Sequence, residues 1–129
     1  MATDGVSITG DPDHRRVSIE RDGQTLAAAD VDSTGGPAVV YAVLAGQVRP
    51  LSGASGARLV DAVLGLPEVA GAAQLDAAVP AVDAEMVQQL REGTDGLSAR
   101  LAGGTVLITA HPRPATVPPP ASGPAEPTA

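Results

Sequence analysis

The sequence contains no cysteine, no phenylalanine, no tryptophan and no lysine, and its single aromatic ring is Tyr41. Without cysteine there is no disulfide framework, zinc ribbon, iron-sulfur cluster or thiol nucleophile. Phe, Tyr and Trp normally bury about 150 to 250 Å² each, so the core must be assembled from Val, Leu, Ile and Ala. One ring also leaves almost nothing on which to stack bases. Positive charge is scarce, with 8 basic side chains, all Arg, against 15 acidic ones, a net charge of -7. Such a surface repels phosphate backbones, which argues against nucleic acid as a partner. Long apolar runs are missing as well. No window reaches the roughly 18 uninterrupted apolar residues of a membrane span. The opening MATDGVSITGDPDHRR has no apolar stretch between a basic head and a cleavage site. The expectation is a cytoplasmic protein without membrane contact.

What is present fits one domain, because 129 residues fall within the usual range of about 50 to 250. A chain this size buries under roughly 70% of its unfolded surface, so an aliphatic core is thin and a second subunit is expected to help. Arginine in place of lysine, with abundant alanine, reflects the codon usage of a GC-rich genome and carries no functional meaning.

Residues 1–13 are polar, contain Gly and Pro, and read as a loose leader. A hairpin follows. Val17 and Ile19 alternate with Ser18 and Glu20, Asp22-Gly23 supplies a type I′ turn that needs positive φ at both centres, and Leu26 and Ala28 return. A two-residue loop sets Arg21 opposite Gln24, Ile19 opposite Leu26 and Val17 opposite Ala28. After SerThrGlyGly at 33–36, the run AVVYAVLA at 38–45 reads as a central strand covered on both faces. Residues 55–65 are expected to form a helix, with Leu59, Val60, Val63 and Leu64 on its apolar side, Ser55 as N-cap and Gly65 closing it. A short strand at 75–80 comes next. A second helix spans 84–92, with Asp83 as N-cap, a Val82/Val87 hydrophobic staple and Gly93 as its end. Strands at 97–102 and 105–110 close the domain as a hairpin. From Pro112 onward seven of eighteen residues are proline, which predicts an extended, disordered tail. Pro124 and Pro127 satisfy PxxP, a pattern that SH3-like and WW-like grooves bind, although no basic residue accompanies the pair. The domain proper is therefore 14–111, an α+β fold with a mixed sheet of about six strands and two helices.

The stretch 38–109 resembles the later half of a GNAT-type (GCN5-related) acyltransferase. The residues that carry the likeness are a glycine-containing turn opening a helix after a strand, Leu51-Ser52-Gly53-Ala54-Ser55-Gly56, and a second strand and helix running on from Asp83. The family's turn reads Q/R-x-x-G-x-G/A, of which Gly56 supplies the last position while Leu51 and Ala54 depart from it. Its second signal, N-x-x-A-x-x-L-Y, places Leu90 where the family has its acid tyrosine. The two helices that precede the family's sheet have no room in the sixteen residues before Val17. The resemblance implies a GNAT-like sheet and an acyl-CoA site at 52–56, and its departures imply that the usual acid is missing.

Each candidate site has two readings. Ser52, Gly53, Ala54, Ser55 and Gly56, bracketed by Arg49 and Arg58, end at a helix N-terminus where backbone N–H groups and the helix dipole can hold a pyrophosphate; otherwise they are an ordinary Gly/Ser connection with a cap. Asp30 and Asp32 point to one side of a strand end, either as cation ligands or a general base or as turn residues. Tyr41 is a core ring reaching a sheet edge, or else a lone general acid or hydroxyl anchor in a cleft. His14 and His111, with an acidic partner, form an acid-base pair or a hard-metal site if their strands are close, and are solvated if not. No metal site and no required cofactor are expected. Two functions follow: a non-catalytic accessory protein that contacts a protein partner or its own copy, and a small acyltransferase or acyl-CoA-binding module that deprotonates an amine through water, Asp30 or Asp32.

Overall fold

The structure, a computed structural model, describes residues 5–34, 38–48 and 51–113. Its elements are β1 (Gly5–Asp11), β2 (His14–Arg21), β3 (Gln24–Asp32), β4 (Val39–Gly46), α1 (Gly53–Leu64), α2 (Pro67–Ala70), β5 (Gln74–Pro80), a 3-10 turn (Ala81–Asp83), α3 (Ala84–Gly93), β6 (Thr94–Ala102) and β7 (Thr105–Pro112). The strands form one mixed sheet in the order β1-β2-β3-β4-β5-β7-β6. Every pairing is antiparallel except β4 with β5, which α1 and α2 connect. This is the expected α+β architecture, with β4 at its centre. The sheet has one strand more than expected, and α2 is a short additional helix.

The extra strand is the expected leader. Val6 pairs with Ile19 and Ile8 with Val17, so residues 5–11 extend the first hairpin. Its local signal is weak because it is an exposed edge strand flanked by Gly5 and Gly10. The reversal into β2 is tight. Asp11 Oδ1 accepts from the backbone N–H of Asp13 at 3.0 Å and of His14 at 3.1 Å, and Gly10 adopts φ +93° beside the His14 carbonyl.

The Asp22-Gly23 turn forms as expected, with φ of 52° and 78°. Beyond it the register departs from the simple pairing. A β-bulge at Ile19/Glu20 sets Ile19 opposite Ala27 and Val17 opposite Ala29, one residue later than the loop alone implies. The bulge lets Leu26 and Ala27 both reach the core side, where Ala29 and Val31 follow.

One core holds the molecule together. Leu59, Val60 and Val63 of α1 and Met86 and Leu90 of α3 pack with Val17, Ile19, Val40, Leu44, Leu75, Val79 and Ile108 of the sheet. Across that face Ala27, Ala29, Ala42, Ala77 and Ala110 keep the sheet surface low. On the same face Arg15 Nε bonds Glu68 Oε2 at 2.7 Å and ties α2 to β2. Caps differ from expectation. The N-cap of α1 is Ser52, whose hydroxyl accepts from Ser55 N–H at 3.1 Å, whereas Ser55 itself is buried in the first turn. Asp83 precedes α3 without capping it through its side chain, and Val82 is 74% exposed, so the Val82/Val87 staple does not form. At the far end Pro112 belongs to β7 opposite Thr94, and Arg113 donates to Asp95 Oδ1 at 3.1 Å and to the Glu92 carbonyl at 2.9 Å. The remaining tail, including Pro124 and Pro127, lies outside the described residues, as do the two glycines of the SerThrGlyGly turn.

The expectation that β4 is covered on both faces is overturned. Val40, Ala42 and Leu44 are buried, while Tyr41 is 52% and Val43 56% exposed. Neighbours on one strand should therefore differ sharply in energetic weight. Leu44→Ala is expected to lower unfolding free energy by about 2–5 kcal/mol through the cavity it leaves. Val43→Thr should change it by less than about 0.5 kcal/mol. Urea denaturation monitored by circular dichroism measures both.

Candidate functional site

Because side chains alternate along each strand and the core occupies one side, the other side of the sheet carries a regular array. One row runs His14, Asp32, Tyr41, Asp76, Thr109, Ser98 across β2, β3, β4, β5, β7 and β6. The next runs Arg16, Asp30, Val43, Ala78, Leu107, Arg100 over the same strands. Two shallow concavities lie on this face. One of about 380 Å³ is lined by Tyr41, Val43, Asp76, Ser98, Arg100 and Thr109 among others. Its neighbour, about 490 Å³, includes His14, Arg16, Asp30 and Asp32 and shares Tyr41 and Val43. Tyr41 is thus not a core residue, and it lies where the two concavities meet.

The acidic groups on this face are already engaged. Arg16 Nη1 donates to Asp30 Oδ1 at 3.0 Å and to Oδ2 at 3.1 Å, an exposed ion pair. Asp32 Oδ1 accepts from the Thr34 hydroxyl at 2.6 Å and from the Thr34 N–H at 2.8 Å, the turn role that aspartate often takes. Those two bonds, the hydroxyl first, hold the Asp32 carboxyl below its ordinary range against an opposing desolvation, and the nearby His14, with Nδ1 3.8 Å from Oδ2, lowers it least. Asp76 Oδ1 accepts from Gln74 Nε2 at 2.9 Å and from the Thr109 hydroxyl at 3.3 Å. Asp30 and Asp32 do share one side of the strand end, as their spacing implied. The histidines do not meet: His14 is on β2, and His111, with Nδ1 3.1 Å from the Ala73 carbonyl oxygen, is on β7, with β3, β4 and β5 between them. Among the described residues no group of three or more His, Asp or Glu side chains is placed to hold a metal ion.

The 52–56 segment forms the start of α1, but its surroundings are acidic. Ser52 spends its hydroxyl on the cap, and Ser55 and Gly56 are buried, with a Cβ at Gly56 only 3.4 Å from Met86 Cγ. A Cβ at Gly53 would stand 2.8 Å from Glu85 Oε1, so the carboxylate of α3 rests against the first turn of α1. An anionic side chain there is favourable to the helix dipole. Asp83 lines the same concavity of about 280 Å³. Its carboxylate accepts from the Gly46 N–H at 3.0 Å, just past the point where the β4–β5 ladder stops at Val43 and Ala78. Arg58 lines a different concavity beside Val6, Asp61 and Ala62, and Arg49 lies outside the described residues. Sequence reasoning missed the part played by Glu85 and Asp83, for which the only local signal is acid at the start of α3; contact between α1 and α3 is required to bring that charge to Gly53.

No family model and no curated protein matches the chain. Solved structures do. A candidate acetyltransferase from Sphaerobacter thermophilus superimposes with a TM-score of 0.55 at 16% identity, covering 81% of this chain and 70% of that one. An acetyltransferase of the GNAT family from Streptococcus pneumoniae gives 0.55 at 10% identity, covering 78% and 67%. The fold is GNAT-like. At such identities the likeness concerns architecture, and the chemistry rests on this chain's own residues. In this GNAT-like sheet β1 passes directly into β2 through the Asp11–His14 turn. Leu90, at the position of the family's tyrosine, is fully buried in the core.

The Asp32 arrangement yields a titration prediction. A carboxyl with a depressed folded-state pKa contributes stability above its unfolded pKa and loses it as pH falls through the folded one. Thr34→Val removes the hydroxyl bond, so the Asp32 carboxyl should titrate at higher pH than in the parent. Carboxyl-carbon NMR titration checks the direction, and an unchanged midpoint would assign the shift elsewhere.

Proposed function

We propose that the chain is a non-catalytic accessory or regulatory module of the cytoplasm, a GNAT-like scaffold that offers its helix-free sheet face to a protein partner. One observation carries this reading: the Glu85 carboxylate lies against Gly53 at the start of α1, where a cofactor pyrophosphate would need to bind. Two negative groups in one spot repel, and the helix dipole that would attract a phosphate is already complemented by a carboxylate. The Asp83 bond to Gly46 N–H occupies a backbone donor at the edge of the same opening. Meanwhile the opposite sheet face presents Tyr41 and Val43 to solvent. A large side chain exposed at the centre of a sheet is a more informative feature than a scattered surface residue. Among the described residues no helix is long and apolar enough to cross a membrane.

A second reading, a small acyltransferase or acyl-CoA-binding module, is favoured by one feature. Tyr41 is exposed beside Asp76 on the parallel β4–β5 pair, whose ladder stops two residues further on, and its hydroxyl is the candidate acid there. Under that reading the cofactor would displace Glu85 from the start of α1, and Asp30 or Asp32 would act as base only after giving up its present partner.

The two readings separate in a thermal melt with excess coenzyme A or acetyl-CoA. A ligand at 100 times its Kd stabilises by about 2.7 kcal/mol, a rise of several degrees for a domain of this size. The accessory reading expects no shift with either compound. A rise that disappears in Tyr41→Phe or Gly53→Ala would establish the acyl-CoA reading in its place.

A further inference from the structure

Resting on the accessory reading, we propose that the partner for the bare sheet face is a second copy of this chain, stacked face to face about a two-fold axis along β5. The order of residues across the face supports this occupant. In the row Asp30, Val43, Ala78, Leu107, Arg100, rotation about β5 sets Arg100 over the second copy's Asp30 and Leu107 over its Val43, with Ala78 meeting itself. The adjacent row sets Ser98 over Asp32 and Thr109 over Tyr41, so hydroxyls meet a carboxylate and a phenol. A two-fold contact must be self-complementary, and this row has an apolar centre with opposite charges at its two ends.

Arg100 makes the charge argument specific. It is exposed, and no ion pair engages it among the described residues. On the other side Asp30 binds a single nitrogen of Arg16 and can accept a second guanidinium. Alternative axes fare worse. A two-fold axis midway between β4 and β5 would set Arg100 over Arg16, and one across the strands between the two rows would set Asp30 over Asp32.

Size sets the expected strength. The five strands from β3 to β6, at ~4.8 Å spacing and with about six residues of ~3.3 Å each, present roughly 500 Å² per copy. The total of about 1,000 Å² is at the lower bound for a specific contact and below the standard of about 1,600 Å². A weak, reversible dimer is therefore expected. The same axis brings Asp76 toward its own copy, a like-charge contact that weakens the dimer. This fixes the sign of one variant in advance.

Sedimentation velocity on the full chain, from about 1 to about 500 µM, tests the pairing. The expected result is a dimer that appears with concentration. Arg100→Glu and Asp30→Arg should each weaken it at least about tenfold, an equal mixture of the two variants should regain it, and Asp76→Asn should tighten it. Both charge positions are exposed, and circular dichroism confirms that the variants fold. A monomer throughout the range, a dimer indifferent to Arg100→Glu, or variants that do not rescue one another would overturn the proposal. A monomer that also ignores coenzyme A removes this pairing and leaves the accessory reading with a different partner. Stabilisation by coenzyme A removes the accessory reading, and the sedimentation series then decides the sheet pairing by itself.

Discussion

Everything in this molecule follows from packing α1 and α3 against a single face of the sheet with aliphatic side chains. Leu59, Val60 and Val63 from one helix and Met86 and Leu90 from the other enter a surface of Val, Ile, Leu and five alanines. Alanine on the strands gives the helices room, and the leucines and valines fill the layer that remains. With no Phe or Trp to thicken the interior, this chain builds one covered layer. Among the described residues no helix covers the other face of the sheet.

That asymmetry shapes the chemistry at both surfaces. On the covered side the two helices meet at their N-terminal ends, which places Glu85 against the first turn of α1 and Asp83 against the backbone of β4. Each carboxylate answers a local need: one complements a helix dipole, the other satisfies a backbone N–H that the diverging ladder leaves open. Together they line one concavity beside the start of α1 with acidic groups. On the open side, strand alternation produces rows in which Arg16 holds Asp30 and Thr109 holds Asp76, while Asp32 is held by Thr34 of the turn that follows β3. Tyr41 and Val43 stand in the middle of that array.

Local pattern was informative where it depended on neighbours in the chain. Asp22-Gly23 marked its turn, Val39 to Leu44 their strand, Gly65 and Gly93 the ends of helices, and Leu59 to Leu64 an amphipathic coil. It was misleading where a signal had two causes. The unbroken apolar run through β4 looked like a strand covered on both sides, yet Tyr41 and Val43 are exposed because only one face received helices. Residues 5–11 looked like a leader because an edge strand needs few apolar residues of its own. Ser55 looked like a cap, and Ser52 took that role when the helix began two residues earlier.

The amino-acid order by itself determined the types of the elements other than β1 and α2, the α+β class, the aliphatic nature of the core and the shared side of Asp30 and Asp32, because each depends on periods of two or 3.6 and on turn residues at short range. Only the tertiary structure decided which face of β4 is exposed, that Glu85 lies against the start of α1, and how far apart the two histidines lie. Those properties depend on helix placement and strand order. Both are set by long-range burial that no short window of sequence contains.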